Sequence, residues 1–232
     1  MEKFLRTLTT KKLLIDHHPD PENFADIIIS TVNVSSTSEL LYEFLVSLEG
    51  EEKIDKAISE CLYTGIMTDT GSFSYNSSSP DTYYIVSKLI EKGIDKDKIY
   101  WNVYDNYSVD RMRLLGYCLN QKLKFIPDYA TAYISITFDE LKCFNYQPGD
   151  SEGFVNYPLS IKGVVFSVIF IEHEDYIKIS FRSKGKFYAN RFSAENFNGG
   201  GHRNAAGGYS EKSLKETLQD FEDSLAGYRD EL

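Results

Sequence analysis

The run Lys12-Leu13-Leu14-Ile15 closes on Asp16-His17-His18, and no other stretch limits the fold so narrowly. A short β-prone segment that delivers one carboxylate and two imidazoles at its carboxyl end fits an open α/β sheet, whose ligand sites lie outside the carboxyl ends of the strands. Only four histidines occur in 232 residues, which makes the pairing informative. Adjacent side chains on an extended backbone point to opposite faces, so His17 and His18 are expected to act separately, one on a metal and the other toward a substrate. The bland alternative is that one histidine closes the strand and the other is solvated.

The rest of the first half alternates short apolar runs with helical patterns, as βα units do. Residues 12–15 and 27–29 read as strands. Ser36-Thr37-Ser38-Glu39 has the form of a capping box, followed by Leu40, Leu41, Phe44, Leu45 and Leu48 at helical spacing. Ile54, Ala57, Ile58, Cys61, Leu62, Gly65 and Ile66 predict the buried stripe of a second helix. Ser79-Pro80-Asp81 starts a third, which stops near Gly93. The helical pattern continues over 95–124 as a connector. Beyond Pro127 the pattern turns to β, with strands predicted over 129–138, 164–171 and 176–182, and a closing helix carries Leu214, Leu218, Phe221 and Leu225 on one face. Two domains are expected, over 1–107 and 127–232, joined by a helical connector over 108–126.

A net charge of −10 argues against holding a long nucleic-acid duplex by phosphate neutralisation, while a small anionic substrate held by local cations fits. Cys61, Cys118 and Cys143 are far apart and make no C-x-x-C motif, which suits a reducing cytoplasm without disulfides or a zinc site. No apolar segment approaches the roughly twenty residues of a spanning helix, and no signal peptide is read, so no membrane partner is expected.

Three further clusters carry candidate chemistry. Asp69 sits where the second helix runs out, and a carboxylate beside the carbonyl end of a helix needs a cation or donors to offset it. A divalent metal satisfies that need, and so does an Asx turn completed by Gly71. Asn198-Gly199-Gly200-Gly201-His202-Arg203 lets backbone amides approach an anion, and Ala205-Ala206 after it suggests a helical turn with free N–H groups. Arg182 projects from the polar face of its strand, which by itself reads as a solvated face; with Ser183, Lys184 and Lys186 following it, a local phosphate site is the alternative. His173, in an acidic turn, reads as structural.

Taken in order, Asp16-His17-His18, Ser36-Thr37-Ser38-Glu39, Thr68-Asp69-Thr70-Gly71, Phe181-Arg182-Ser183 and Gly199-Gly200-Gly201-His202 with Ala205-Ala206-Gly207 resemble the DHH/DHHA1 phosphoesterases. The similarity is greatest to the nanoRNase branch, oligoribonucleases that also act as 3′-phosphoadenosine 5′-phosphate phosphatases and are sometimes labelled exopolyphosphatase-related. The resemblance implies an α/β fold, made of the remainder of a parallel-sheet DHH domain, a helical connector and a smaller α+β DHHA1 domain that binds substrate across a cleft. It implies two Mn²⁺ ions, with His17 a ligand of one and Asp69 of the other. Asp16 becomes a supporting acid and His18 a donor near the scissile phosphate. Arg182, Ser183, Gly199, Gly200, Gly201 and His202 become substrate-binding residues. The implied reaction is two-metal in-line hydrolysis of short RNA or a nucleoside bisphosphate, with a homodimer left open.

Family members begin with an H-x-x-P-D-x-D type motif and supply a further bridging aspartate, and neither precedes Asp16 here. Two octahedral ions take on the order of ten donor atoms, more than His17 and Asp69 provide. The chain therefore reads as a member lacking its first βαβ portion. The alternatives are a catalytically inactive nucleotide-binding module, or a cyclic-dinucleotide or polyphosphate hydrolase of the same fold.

Overall fold

Leu13–Asp16 (β1) and Ile27–Ser30 (β2) pair in parallel, with Leu13 opposite Ile27 and Asp16 opposite Ser30. These assignments come from a computed structural model that describes residues 2–19 and 21–232. The chain divides into two units, Met1–Asn106 and Tyr107–Leu232. In the first unit a short helix, Glu2–Thr7 (α1), precedes the strands, and four helices follow: Thr37–Glu49 (α2), Lys56–Asp69 (α3), Pro80–Glu91 (α4) and Lys96–Tyr104 (α5). Leu13, Ile27 and Ile28 stay exposed, although parallel strands usually have both faces covered.

The starts of α2, α3, α4 and α5 each have a chemical cause. Ser36 accepts from Glu39 N (3.1 Å), Asp55 from Ile58 N (2.8 Å), Ser79 from Asp81 N (3.2 Å) and Asp95 from Lys98 N (3.0 Å), each satisfying a donor that the first turn leaves free. The third helix ends as expected, with Gly93 at φ +78° donating to Ile90 O. The expected stripe on α3 is corrected by about one residue. Ser59, Leu62, Tyr63, Ile66 and Met67 are buried, whereas Ala57, Ile58 and Cys61 are exposed. Tyr63 and Met67 turn that face inward, against Tyr42, Ile85 and Leu89.

The second unit opens with Val109–Tyr117 (α6), extended by a π turn over Cys118–Lys122. The helical pattern expected to reach 124 ends there, because Leu123–Ile126 (β3) pairs antiparallel with Thr131–Ile136 (β4). Phe138–Cys143 (α7) leads on to Phe166–Glu172 (β5), Ile177–Ser183 (β6), Ala189–Asn196 (α8), Gly200–His202 (β7), Ala205–Ser210 (β8) and Leu214–Leu225 (α9). The sheet order is β3-β4-β5-β6-β8-β7, with β4 and β5 parallel and the other pairs antiparallel.

Alternation along the central strands covers both sheet faces. Tyr133, Phe166, Val168, Phe170, Ile179 and Phe181 join Phe192 of α8 with Phe221 and Leu225 of α9. Ile134, Ile136, Ile169 and Ile171 point the other way, to Leu114, Leu115 and Phe154. The closing helix packs through the residues read from its spacing, with Phe221 and Leu225 fully buried. No helix among the described residues is long and apolar enough to cross a membrane.

Candidate functional site

The first unit brings four of the expected residues together where β1 ends. Asp16 Oδ1 accepts from His18 N (3.1 Å) and lies 2.7 Å from His18 Nδ1, so the carboxylate folds the chain back just after the strand. Burial pushes the Asp16 carboxyl up, but the hydrogen bonds and charge of His18 outweigh it and hold the group below the ordinary carboxylate value. The two imidazoles do not part as an extended backbone would place them: His17 is buried and His18 exposed, yet the bend after β1 brings their ring centroids to 4.8 Å at 73°. His17 Nε2 lies 3.0 Å from Asp69 Oδ2.

Asp69 reaches that contact because another residue closes its turn. Thr70 Oγ1 donates to Ile66 O (2.7 Å) and accepts from Phe73 N (3.0 Å), so the Asp69 carboxylate is not consumed as an Asx cap. Gly71, Ser72 and Phe73 follow at φ +53°, +56° and +63°. The left-handed conformation costs a non-glycine residue about 1–3 kcal/mol, and surrounding contacts must hold it. Asn76 Nδ2 does part of this by donating to Ser35 O (3.3 Å), which ties the turn to the start of α2.

The capping box at 36–39 is half-made. Ser36 caps α2 as expected, but Glu39 does not reach back to the Ser36 amide. Its buried carboxylate accepts from Ser35 N (3.1 Å), the Ser35 hydroxyl and Thr82 Oγ1 (2.9 Å), joining the start of α2 to α4. Beside this lock, Ser36, Thr37, Ser38, Gly65, Thr68 and Asp69 line a cavity of about 340 Å³. In the sequence the hydroxyls at 35–38 read as helix capping, with a phosphate facing the same helix N-terminus as the alternative; the added signal is Gly65 at the crossing of α2 and α3, where a Cβ would lie 1.9 Å from Ser38 Oγ.

The donor set passes a simple test for a divalent cation. Imidazole nitrogen and carboxylate oxygen both suit such ions, and two neighbouring ligands of an octahedral ion, each about 2.1 Å from it, are roughly 3 Å apart. The separation of His17 Nε2 and Asp69 Oδ2, 3.0 Å, matches that spacing, which fits one shared ion, whereas the resemblance assigns the two residues to separate ions.

In the second unit the remaining candidates share one end of the sheet. Arg182 of β6 pairs with Ala205 of β8, and Ala205 with His202 of β7, so Arg182 and His202 lie in one row on the same face with only a methyl between them. The residues after Gly201 depart from expectation. Ala205 and Ala206 form a strand and no helical turn, because Phe197 O, at the end of α8, accepts from Tyr209 N (2.9 Å) and holds β8 extended. Ser183 is buried, donating to Phe187 O (2.7 Å) and accepting from Asn204 Nδ2 (2.8 Å). Its hydroxyl therefore fastens the segment after β6 to the turn between β7 and β8.

Comparison with known proteins gives the same order of parts. Residues 2–66 match the model of the DHH family, N-terminal domain, and residues 129–227 that of the DHHA1 domain. The bifunctional oligoribonuclease and PAP phosphatase NrnA of Bacillus subtilis is 29% identical over 91% of this chain and 67% of its own length. The probable NrnA of Streptococcus mutans is 28% identical over 91% of this chain and 67% of its own. A crystal structure of an exopolyphosphatase-related protein from Bacteroides fragilis superposes with a TM-score of 0.91 at 49% identity, covering 97% of this chain and 66% of that one. The chain thus spans about two thirds of the length of these relatives.

Proposed function

The chain belongs to the DHH/DHHA1 phosphoesterase family, and from that premise we propose that it hydrolyses short oligoribonucleotides and 3′-phosphoadenosine 5′-phosphate with the help of Mn²⁺. The observation that carries this reading is the 3.0 Å approach of His17 Nε2 to Asp69 Oδ2, two metal-type donors brought together from the end of a strand and the end of a helix. DHH-family phosphoesterases are metal-dependent, and His17 and Asp69 are the residues that would hold the ions. Bound there, divalent ions supply an activated water and neutralise charge building on phosphorus. Asp16 fixes the ring of His18 through Nδ1, and in this reading the ring's other nitrogen donates to a phosphate oxygen. Arg182 and His202 hold a second phosphate or the substrate's end from their shared row, the glycines at 199–201 let backbone approach it closely, and Ser183 positions the adjoining turn. Three free cysteines without a disulfide fit a cytoplasmic setting.

The donor count supports a second reading. Two protein ligands among the described residues are few for a pair of octahedral ions, which is what an inactive nucleotide-binding module would retain. The test is Mn²⁺-dependent release of mononucleotides from a labelled RNA dinucleotide, and of phosphate from 3′-phosphoadenosine 5′-phosphate. Turnover by the wild type that His17→Ala and Asp69→Ala each abolish is the expected result. Nucleotide binding without turnover selects the module, and full activity in both variants rejects the assignment.

A further inference from the structure

Beyond the phosphate-holding row, the second unit presents an aromatic–cation pair that the phosphoester chemistry does not use. The Arg203 guanidinium lies over the Tyr188 ring, 4.2 Å from its centroid, and Arg203 Nη2 approaches Gly185 O at 3.4 Å. Both residues are exposed, Tyr188 by 41%. Arg191 nearby is occupied by Glu231 at 2.6 Å, whereas Arg203 contacts a ring and a carbonyl and no carboxylate among the described residues.

The pair is held in place. Tyr188 is the residue before α8, and Arg203 sits in the turn between β7 and β8, one residue beyond His202. Asn204 Nδ2 donates to both Ser183 Oγ (2.8 Å) and Phe187 O (3.1 Å), and Ser183 Oγ donates to Phe187 O, so the segment bearing Tyr188 and the turn bearing Arg203 are fastened to each other. A guanidinium stacked on a tyrosine keeps its second face free, and a planar, weakly hydrated cation over a ring is a surface on which a nucleobase stacks.

We infer that Tyr188 and Arg203 form a nucleobase platform at the same end of the sheet as Arg182 and His202, so that the protein selects phosphoesters that carry a base over base-free ones. This rests on the phosphoester reading above. Stacking of one base is worth about fivefold to a hundredfold or more in affinity.

The test is calorimetric binding to the full chain of 3′-phosphoadenosine 5′-phosphate and of its abasic counterpart, 1-deoxyribose 3,5-bisphosphate. The wild type is expected to bind the adenosine compound about fivefold or more tightly than the abasic one. Tyr188→Ala, with its circular dichroism unchanged, closes that gap while still binding the abasic compound, and Tyr188→Phe keeps the gap. Binding of both compounds with no gap in the wild type, or a gap that survives in Tyr188→Ala, overturns the platform alone. Failure of the wild type to bind either compound overturns the phosphoester reading and the platform with it.

Discussion

The three consecutive glycines before His202 look equivalent in the sequence, yet the structure asks different things of each, and alanine substitution separates them. A Cβ on Gly199 would lie 2.0 Å from Gly207 O and 2.0 Å from Ser193 Oγ, with Gly208 Cα at 2.8 Å. Ser193 Oγ already donates to Gly207 O (2.7 Å), so helix and strand meet there with no slack. Overpacking usually costs about 1–3 kcal/mol, and a backbone carbonyl cannot rotate away, which puts Gly199→Ala near the upper end, at about 3 kcal/mol. Gly201 has φ +134°, and a Cβ there would meet Ala205 O at 2.7 Å, so Gly201→Ala carries strain of about 1–3 kcal/mol in addition to the contact. Gly200 lies outside the positive-φ region and a Cβ there meets nothing within 4 Å. Gly200→Ala should therefore stabilise by about 0.4–1 kcal/mol through the unfolded chain. Urea unfolding followed by circular dichroism reads the three midpoints, with an expected spread of about 3.5–4 kcal/mol between positions 199 and 200. Ser193→Ala added to Gly199→Ala recovers only part of the loss, because Gly207 O remains. Gly199→Ala and Gly200→Ala agreeing to within about 0.5 kcal/mol would refute the reasoning.

Phe221 is fully buried, and its ring meets those of Phe170 (5.2 Å), Tyr133 (5.6 Å), Phe192 (5.9 Å) and Phe166 (6.1 Å); Phe221→Ala should cost about 3–5 kcal/mol in chemical denaturation, and a loss under about 1 kcal/mol contradicts this packing. Burial pushes the Glu140 carboxyl up, but Lys122, the Thr137 amide and Tyr117 outweigh it and bring it down to about 2, from an ordinary 4.5. Because the folded value is the lower one, the stabilisation, about 3 kcal/mol, is present above pH 4.5 and is lost as the pH falls from there toward 2. Glu140→Gln should flatten the stability profile in that window, and parallel profiles for variant and wild type disprove the linkage.

The parts of the fold that the sequence displays are those where one local rule acts without competition. The cap at Ser79-Pro80-Asp81, the glycine stop at Gly93 and the alternation of Ile177, Ile179 and Phe181 against Lys178, Ser180 and Arg182 need only near neighbours, and each holds. The stripe on α3 is misread because Tyr63 and Met67 decide which face is buried, and their weight comes from tertiary partners. β8 is hidden for a different reason. Ala205-Ala206-Gly207-Gly208 has no β-branched residue, since α8 lies so close that a Cβ on Gly208 would meet Phe197 O at 2.7 Å. At the candidate site, Asp16, His17, His18 and Asp69 are legible as residue types in suggestive places, and their convergence is not, because it depends on Thr70 closing the turn in place of Asp69. The cation on Tyr188 is hidden altogether, because Arg203 and Tyr188 meet only through the Ser183–Asn204 clamp.

The measurement closest to the central claim is Mn²⁺ titration of the full chain, followed by the loss of the free-ion electron paramagnetic resonance signal. The account predicts saturable binding by the wild type, weakened by at least about tenfold in both His17→Ala and Asp69→Asn, whose parent side chains meet at 3.0 Å. Equal affinity in all three proteins would contradict it.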